Sequence, residues 1–193
     1  MADDKKSEDD SISMSMRVTL FGIRKAFPKV KQLETEDLEN LIKENCRNLI
    51  LLDVRRKEEY AVSHLPGSIH IDPDETAEAV FGKVKPILDD CENGKVIIVC
   101  YCSLGYRSSL MAQKLYPHCK LLAEAQKISF MPVIQNLEGS IFKWANEGRE
   151  MIDNENRKTK CCHPNSFLWG KLLKSELKMY ETQSNNEHKS SML

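Results

Sequence analysis

The sequence predicts an α/β sandwich with a mostly parallel central sheet and helices on both faces. Two observations carry this. Short apolar runs over 48–54 and 96–101 alternate with longer patterns of helical period. The run Val96-Ile97-Ile98-Val99-Cys100-Tyr101 then opens into a loop with a central glycine, and a helical pattern follows. Such sheets bind ligands in the loop after a strand.

The elements are read in chain order. Residues 1–16 are polar, acidic and serine-containing, the composition of a disordered tail. Residues 17–30 are a mildly basic, apolar lead-in expected to pack on the domain or to meet a partner. Thr35 is placed to cap a helix over about 36–45, with Leu38, Leu41 and Ile42 apolar. A strand over 48–54 leads to a short helix over 56–63 and a short strand over 68–71. Residues 74–89 predict a helix with Ala79, Val80, Val84, Ile87 and Leu88 inward. The 96–101 run is too short and too β-branched for a helix, whereas 107–116 has helical apolar spacing at Leu110, Met111 and Leu115. Less regular pieces follow at 119–122 and 128–133, and a helix over 139–147 stops at Gly148. Residues 151–165, with Pro164, read as a linker. Residues 166–181 carry Leu168, Trp169, Leu172, Leu173, Leu177 and Tyr180 at helical spacing, an amphipathic helix for docking on the domain, a dimer contact or a protein partner. Residues 182–193 read as a second disordered tail.

The chemistry concentrates at Cys102-Ser103-Leu104-Gly105-Tyr106-Arg107-Ser108. Gly105 permits backbone dihedrals that other residues resist, so successive N–H groups can converge as an anion nest. The helix that follows adds its positive dipole end, and Arg107 adds a fixed charge. Such surroundings lower a thiol from ~8.5 into a range of ~3.5–7.5, and the thiolate is the nucleophile.

These residues resemble the active loop of the rhodanese-like family, Cys-x-x-Gly-x-Arg-Ser/Thr. Three further segments agree: Leu51-Leu52-Asp53-Val54-Arg55 with Glu58-Glu59-Tyr60, the turn His64-Leu65-Pro66-Gly67-Ser68-Ile69, and Asn136-Leu137-Glu138-Gly139-Ser140-Ile141 with Trp144. The resemblance covers about 31–150 and implies a rhodanese-like sandwich. It also implies a sulfurtransferase in which the Cys102 thiolate takes the outer sulfur of thiosulfate or a persulfide and passes it to a thiol or cyanide acceptor. Ping-pong kinetics accompany such covalent catalysis. Cysteine-based phosphatases, some of the same fold, use a Cys-x5-Arg loop. Here four residues separate Cys102 from Arg107 and six separate Cys100 from it, so neither spacing fits.

In this reading Cys102 and Arg107 are catalytic, and Ser103, Leu104, Gly105, Tyr106 and Ser108 form the substrate-binding loop. Asp53, Arg55 and His64 are supporting residues. Each has a plainer reading. Asp53 can simply be hydrogen-bonded at a strand end, Arg55 can pair with Glu59 or line the pocket, His64 can anchor its turn, and Tyr106 can face solvent. Ser103 and Leu104 stand where some thiosulfate-active relatives carry basic residues, which speaks against efficient thiosulfate turnover and brings in a low-molecular or protein persulfide as donor beside thiosulfate. The alternative class is a catalytically weak rhodanese-like binding or regulatory module.

Cysteine use and composition set the remaining bounds. Cys161-Cys162-His163 has no second cluster to complete the roughly four ligands of zinc, so no metal is expected, and no cofactor. Cys100 reads as a buried strand residue rather than a resolving thiol. Seven cysteines with no secretory signal argue for a reducing compartment, hence a cytoplasmic location. A net charge of −1 gives no case for nucleic acid, and no apolar run reaches the ~18 residues of a membrane span, so no stable membrane insertion is expected.

Overall fold

The computed structural model describes residues 13–44, 48–91 and 96–181. Five strands form one parallel sheet: β1 (Lys31–Leu33), β2 (Leu49–Asp53), β3 (Ile69–His70), β4 (Ile97–Tyr101) and β5 (Val133–Leu137), in the order β1-β5-β4-β2-β3; β2, β3 and β4 fall on the predicted strands, whereas β1 was not expected and β5 begins where the irregular 128–133 piece ends. Successive side chains of a strand point to opposite faces. Ile50, Leu52, Ile98, Cys100 and Ile134 therefore share one face, while Leu51, Val99, Tyr101 and Leu137 share the other.

Both faces are covered. On the first, α4 (Ala77–Asp89) and α5 (Tyr106–Glu124) contribute Val80, Phe81, Val84, Leu88, Met111 and Leu115. On the second, α1 (Met14–Ala26), α2 (Thr35–Lys43) and α6 (Ser140–Asn146) contribute Leu20, Leu38, Ile141, Phe142 and Trp144. Burial on both faces is why the central strands read as continuous apolar runs rather than alternating ones. The short helix α3 (Lys57–Val62) follows β2.

Several expectations change. The acidic tail was drawn to residue 16, but α1 already begins at Met14, with the Ser13 hydroxyl accepting the Met16 N–H at 3.3 Å. The lead-in is mostly this helix, and it packs into the core through Met16, Leu20, Ile23 and Phe27. Glu34, not Thr35, occupies the N-cap of α2, and Thr35 is buried in its first turn. In α4 Ala79 and Ile87 face solvent, and Phe81 is buried instead. The helix after the Cys102 loop continues through Pro117 to Glu124, with Cys119 buried beyond the proline.

The C-terminal part differs most. Residues 151–165 are not a bare linker, because β6 (Met151–Ile152) and β7 (Lys158–Thr159) pair antiparallel, and β6 is hydrogen-bonded to His64. Residues 166–181 do not form an amphipathic helix. Two short 3₁₀ turns, Trp169–Leu172 and Ser175–Leu177, are separated by extended backbone at Leu173. Asn146 fixes that break: its amide donates to the Leu172 carbonyl at 2.8 Å and accepts the Lys174 N–H at 3.0 Å. Only Leu173 of the apolar stripe is fully buried, while Leu168, Trp169 and Tyr180 stay exposed. The tails over 1–12 and 182–193, and Cys46, lie outside the described residues. No helix among the described residues is long and apolar enough to cross a membrane.

Candidate active site

Cys102 follows β4 directly, and its loop is held from below. Ser140 accepts the Cys102 N–H at 3.1 Å, and the first N–H groups of α6 donate to the loop carbonyls, Ile141 to Cys102 and Phe142 to Ser103, both at 3.1 Å. The turn Glu138-Gly139-Ser140 that resembled the end of the family domain is thus the seat of the active loop. Gly139 and Gly105 both need the left-handed backbone their residue type allows, at φ +72 and +118. A Cβ on Gly105 would lie 3.1 Å from the Asn136 amide, and one on Gly139 only 2.5 Å from Lys143 Cβ.

The thiol sits at the bottom of a cleft, with Cys102 2% exposed. Burial pushes the thiol up, but the opposing influences win. The Arg107 charge, the Ser108 hydroxyl and N–H, and the Gly105 N–H together bring it below the ordinary thiol value. The Gly105 N–H lies 3.1 Å from Cys102 Sγ. The Ser108 hydroxyl also lies 2.6 Å from Asn136 Oδ1, so its single proton serves one of two acceptors at a time. The contrast with Cys100, two residues back, is instructive. Burial without a cation pushes that thiol up to about 12.

Arg107 is held as a fork by Glu59. Its Nη1 and Nη2 donate to Glu59 Oε2 and Oε1 at 2.7 and 2.8 Å, and Nη2 also donates to Ser103 Oγ at 2.8 Å. Bidentate Arg–carboxylate geometry adds direction as well as strength. Ser103 completes the triangle by donating to Glu59 Oε1 at 3.0 Å. Glu59 also accepts the Arg56 N–H at the start of α3. Burial pushes its carboxyl up, but hydrogen bonding and charge from Arg107, with Arg55 and the Arg56 N–H, bring it down to about 2.

Gly105 and Ser108 sit at the Cys102 sulfur, and the structure places the other expected site residues in two groups. Cys102, Ser103, Leu104, Tyr106 and Arg107 line the cleft. Leu104 turns inward to join the core cluster of α1, and Tyr106 is exposed with its ring edge-on to Phe27 at 5.2 Å. Asp53, Arg55 and His64 do not line it. Arg55 is fully buried and pairs with Asp53 at 2.8 and 2.7 Å, not with Glu59, and it donates to the Ser63 carbonyl at 2.5 Å. His64 stacks on Tyr60 at 3.8 Å and exchanges backbone hydrogen bonds with Ile152, so it ties the hairpin to the turn.

Glu59 was legible only as a partner for the wrong arginine. Other contributors were missed. Val18, Thr19, Gly22 and Ile23 of α1 form one wall of the cleft, and His163, Asn165 and Trp169 form another. Asn165 donates to both Glu59 Oε1 and Ser103 Oγ at 3.2 Å. The sequence marks the 17–30 lead-in, His163 and Trp169, but for packing, metal binding or docking rather than for the site. No group of three or more metal-ligating side chains occurs among the described residues, and the six described cysteines are free.

The rhodanese-like domain model matches residues 34–147, more than half of the chain. The chain belongs to the rhodanese-like domain family. The chain is 26% identical over 137 aligned residues to the thiosulfate:glutathione sulfurtransferase of Saccharomyces cerevisiae, spanning 64% of this chain and 84% of that protein. The fold is shared with a thiosulfate sulfurtransferase from Pseudomonas aeruginosa at 20% identity and a TM-score of 0.51. That match covers 72% of this chain but only 23% of the bacterial one. It is also shared with the As-Sb reductase of Leishmania major at 15% identity and a TM-score of 0.52, covering 68% of this chain and 92% of that one. The model match ends at 147, so the hairpin and the Asn165 segment lie beyond the matched rhodanese-like domain, and α1 lies before it.

Proposed function

We propose that this protein is a sulfurtransferase that carries sulfane sulfur on Cys102. The observation that carries the reading is a buried thiol held below its ordinary value by Arg107 and loop N–H groups, in a loop of the shorter family length. The Cys102 thiolate attacks the outer sulfur of the donor. A new S–S bond forms on the enzyme, and the donor's S–S bond breaks. The electron pair leaves with sulfite when the donor is thiosulfate, or with a thiolate when it is a persulfide. The acceptor thiolate or cyanide then attacks the outer sulfur of the Cys102 persulfide and returns the Cys102 thiolate. A thiol lowered in this way needs no separate general base once it is ionised. The loop N–H groups meet the anion that forms, in the manner of an oxyanion hole.

In this reading Arg107 keeps the thiol ionised, Glu59 positions Arg107, and Gly105 and Ser108 face the sulfur. Asp53, Arg55 and His64 hold the frame. The likeness to a thiosulfate:glutathione sulfurtransferase supports a low-molecular-weight thiol as acceptor. The free cysteines support a reducing, cytoplasmic setting. The test is mass spectrometry of the full chain after incubation with thiosulfate or glutathione persulfide. One added sulfur on Cys102, removed by cyanide or thiol and absent in Cys102→Ser, is the expected result. A free, folded Cys102 thiol that takes sulfur from neither donor would overturn it and leave a binding module.

A further inference from the structure

The cleft above Cys102 measures about 910 Å³, within the range of roughly 300–1,000 Å³ typical of pockets for drug-sized organic ligands. Its extra space is built by chain outside the matched family domain. Val18 and Ile23 of α1 and Trp169 of the C-terminal segment supply apolar surface opposite Leu110. Asn165 pins that segment onto the loop through Glu59 and Ser103, and the Asn146 bonds hold its far end.

The charges of the lining matter as much as its size. Two arginines line the cleft, and both are already matched. Arg107 forks onto Glu59, and Arg56 bonds Asp72 at 3.0 Å and Asp74 at 2.7 Å. The loop positions Ser103 and Leu104 add no cation. Glu58 also lines the cleft and is exposed; the half-buried His163 of the lining lies within its electrostatic reach, but burial lowers the basicity of that imidazole. A dianion entering this cleft meets arginines that are already paired and a weakly basic His163, whereas an ammonium group meets the exposed Glu58 carboxylate.

We infer that the sulfur carrier this cleft selects is an organic persulfide or thiol bearing an ammonium group, in preference to inorganic thiosulfate, with α1 and the segment around Trp169 as its recognition walls. The inference rests on the sulfur-transfer reading. The alkyl part lies along Val18, Ile23 and Trp169, the ammonium faces Glu58, and the outer sulfur reaches Cys102. The step balances without a further reagent: the Cys102 thiolate and R–S–SH give the Cys102 persulfide and R–S⁻, the proton staying on the transferred sulfur.

Two donors with the same carbon spacer isolate the charge, cysteamine persulfide and 3-mercaptopropionate persulfide. The rate constant for loading Cys102 is measured for each on the full chain at low salt, beside thiosulfate. The cationic donor should load faster than the anionic one by roughly fivefold, the scale of one exposed ion pair. Glu58→Gln should abolish that ratio, and Trp169→Ala should slow both organic donors without changing it. Equal loading of the two persulfides, a ratio that survives Glu58→Gln, or preferred use of thiosulfate would overturn the assignment. Loading of Cys102 by none of the donors would instead remove the sulfur-transfer reading beneath it.

Discussion

At the scale of single residues, one chain places identical thiols in opposite states. Cys100 and Cys102 are both buried, yet burial raises the first to about 12 while the second lies below the ordinary value. The difference is the Arg107 charge and the converging N–H groups, not exposure. Replacing Arg107 by Gln should therefore move the pH profile of Cys102 alkylation by iodoacetamide to higher pH. An unmoved profile would assign the ionisation to the loop N–H groups alone. Glu59 acts one step back. Truncating its charge with Glu59→Gln weakens the contacts with Arg107, Ser103 and Asn165 together. Losing hydrogen bonds to a buried charged group costs about 1.5–3 kcal/mol, which should appear as a lower urea midpoint at neutral pH. The loop cysteine, glycine and arginine were legible because their spacing is local. The partner of Arg107 was not, because Glu59 lies 48 residues away and only the fold decides which arginine it meets.

At the scale of elements, the inner strands β2 and β4 and the helices α2, α4 and α5 follow from apolar pattern that was readable, whereas the three-residue edge strand β1 is too short to carry one. The pattern failed where another group satisfied the backbone. The stripe over 166–181 has helical spacing, yet the Asn146 side chain takes the Leu172 carbonyl and the Lys174 N–H and holds an extended break between them. Helix α1 was half-read for a different reason. Its first turn lies in a polar tail, but Met16, Leu20 and Ile23 fall on one buried face. Leu104 of the active loop shares that cluster, so α1 supports the loop as well as walling the cleft. Leu20→Ala should lower stability by about 2–5 kcal/mol, the usual range for a buried leucine, in a single urea transition. An unchanged midpoint with faster hydrogen exchange confined to α1 would show instead that this helix opens apart from the sheet.

At the scale of the whole molecule, the site charges and the buried thiols bound its stability from both sides of neutral pH. On the acid side, Glu59 is held at about 2 against an ordinary value of 4.5. A depressed carboxyl stabilises the fold fully above its unfolded value, and that contribution disappears as pH falls from about 4.5 to about 2. With Glu59 only 4% exposed, the shift corresponds to a contribution on the order of 3 kcal/mol. On the alkaline side, burial raises Cys100 and Cys162 to about 12 and Cys119 to about 11, each from 9.0. A raised thiol contributes fully below its unfolded value, so this stability is lost as pH climbs from about 9 toward 11–12, when the unfolded chain ionises and the folded one does not. Urea unfolding followed from pH 2 to pH 11 should therefore give a plateau with two falling limbs. Glu59→Gln should lower the plateau and flatten the acid limb while leaving the alkaline limb largely in place, because burial, not Glu59, is the largest influence on those thiols. Cys100→Ala should do the converse on the alkaline side. An acid limb that keeps its slope in Glu59→Gln would move the acid sensitivity away from the Arg107 network to other carboxylates of the fold.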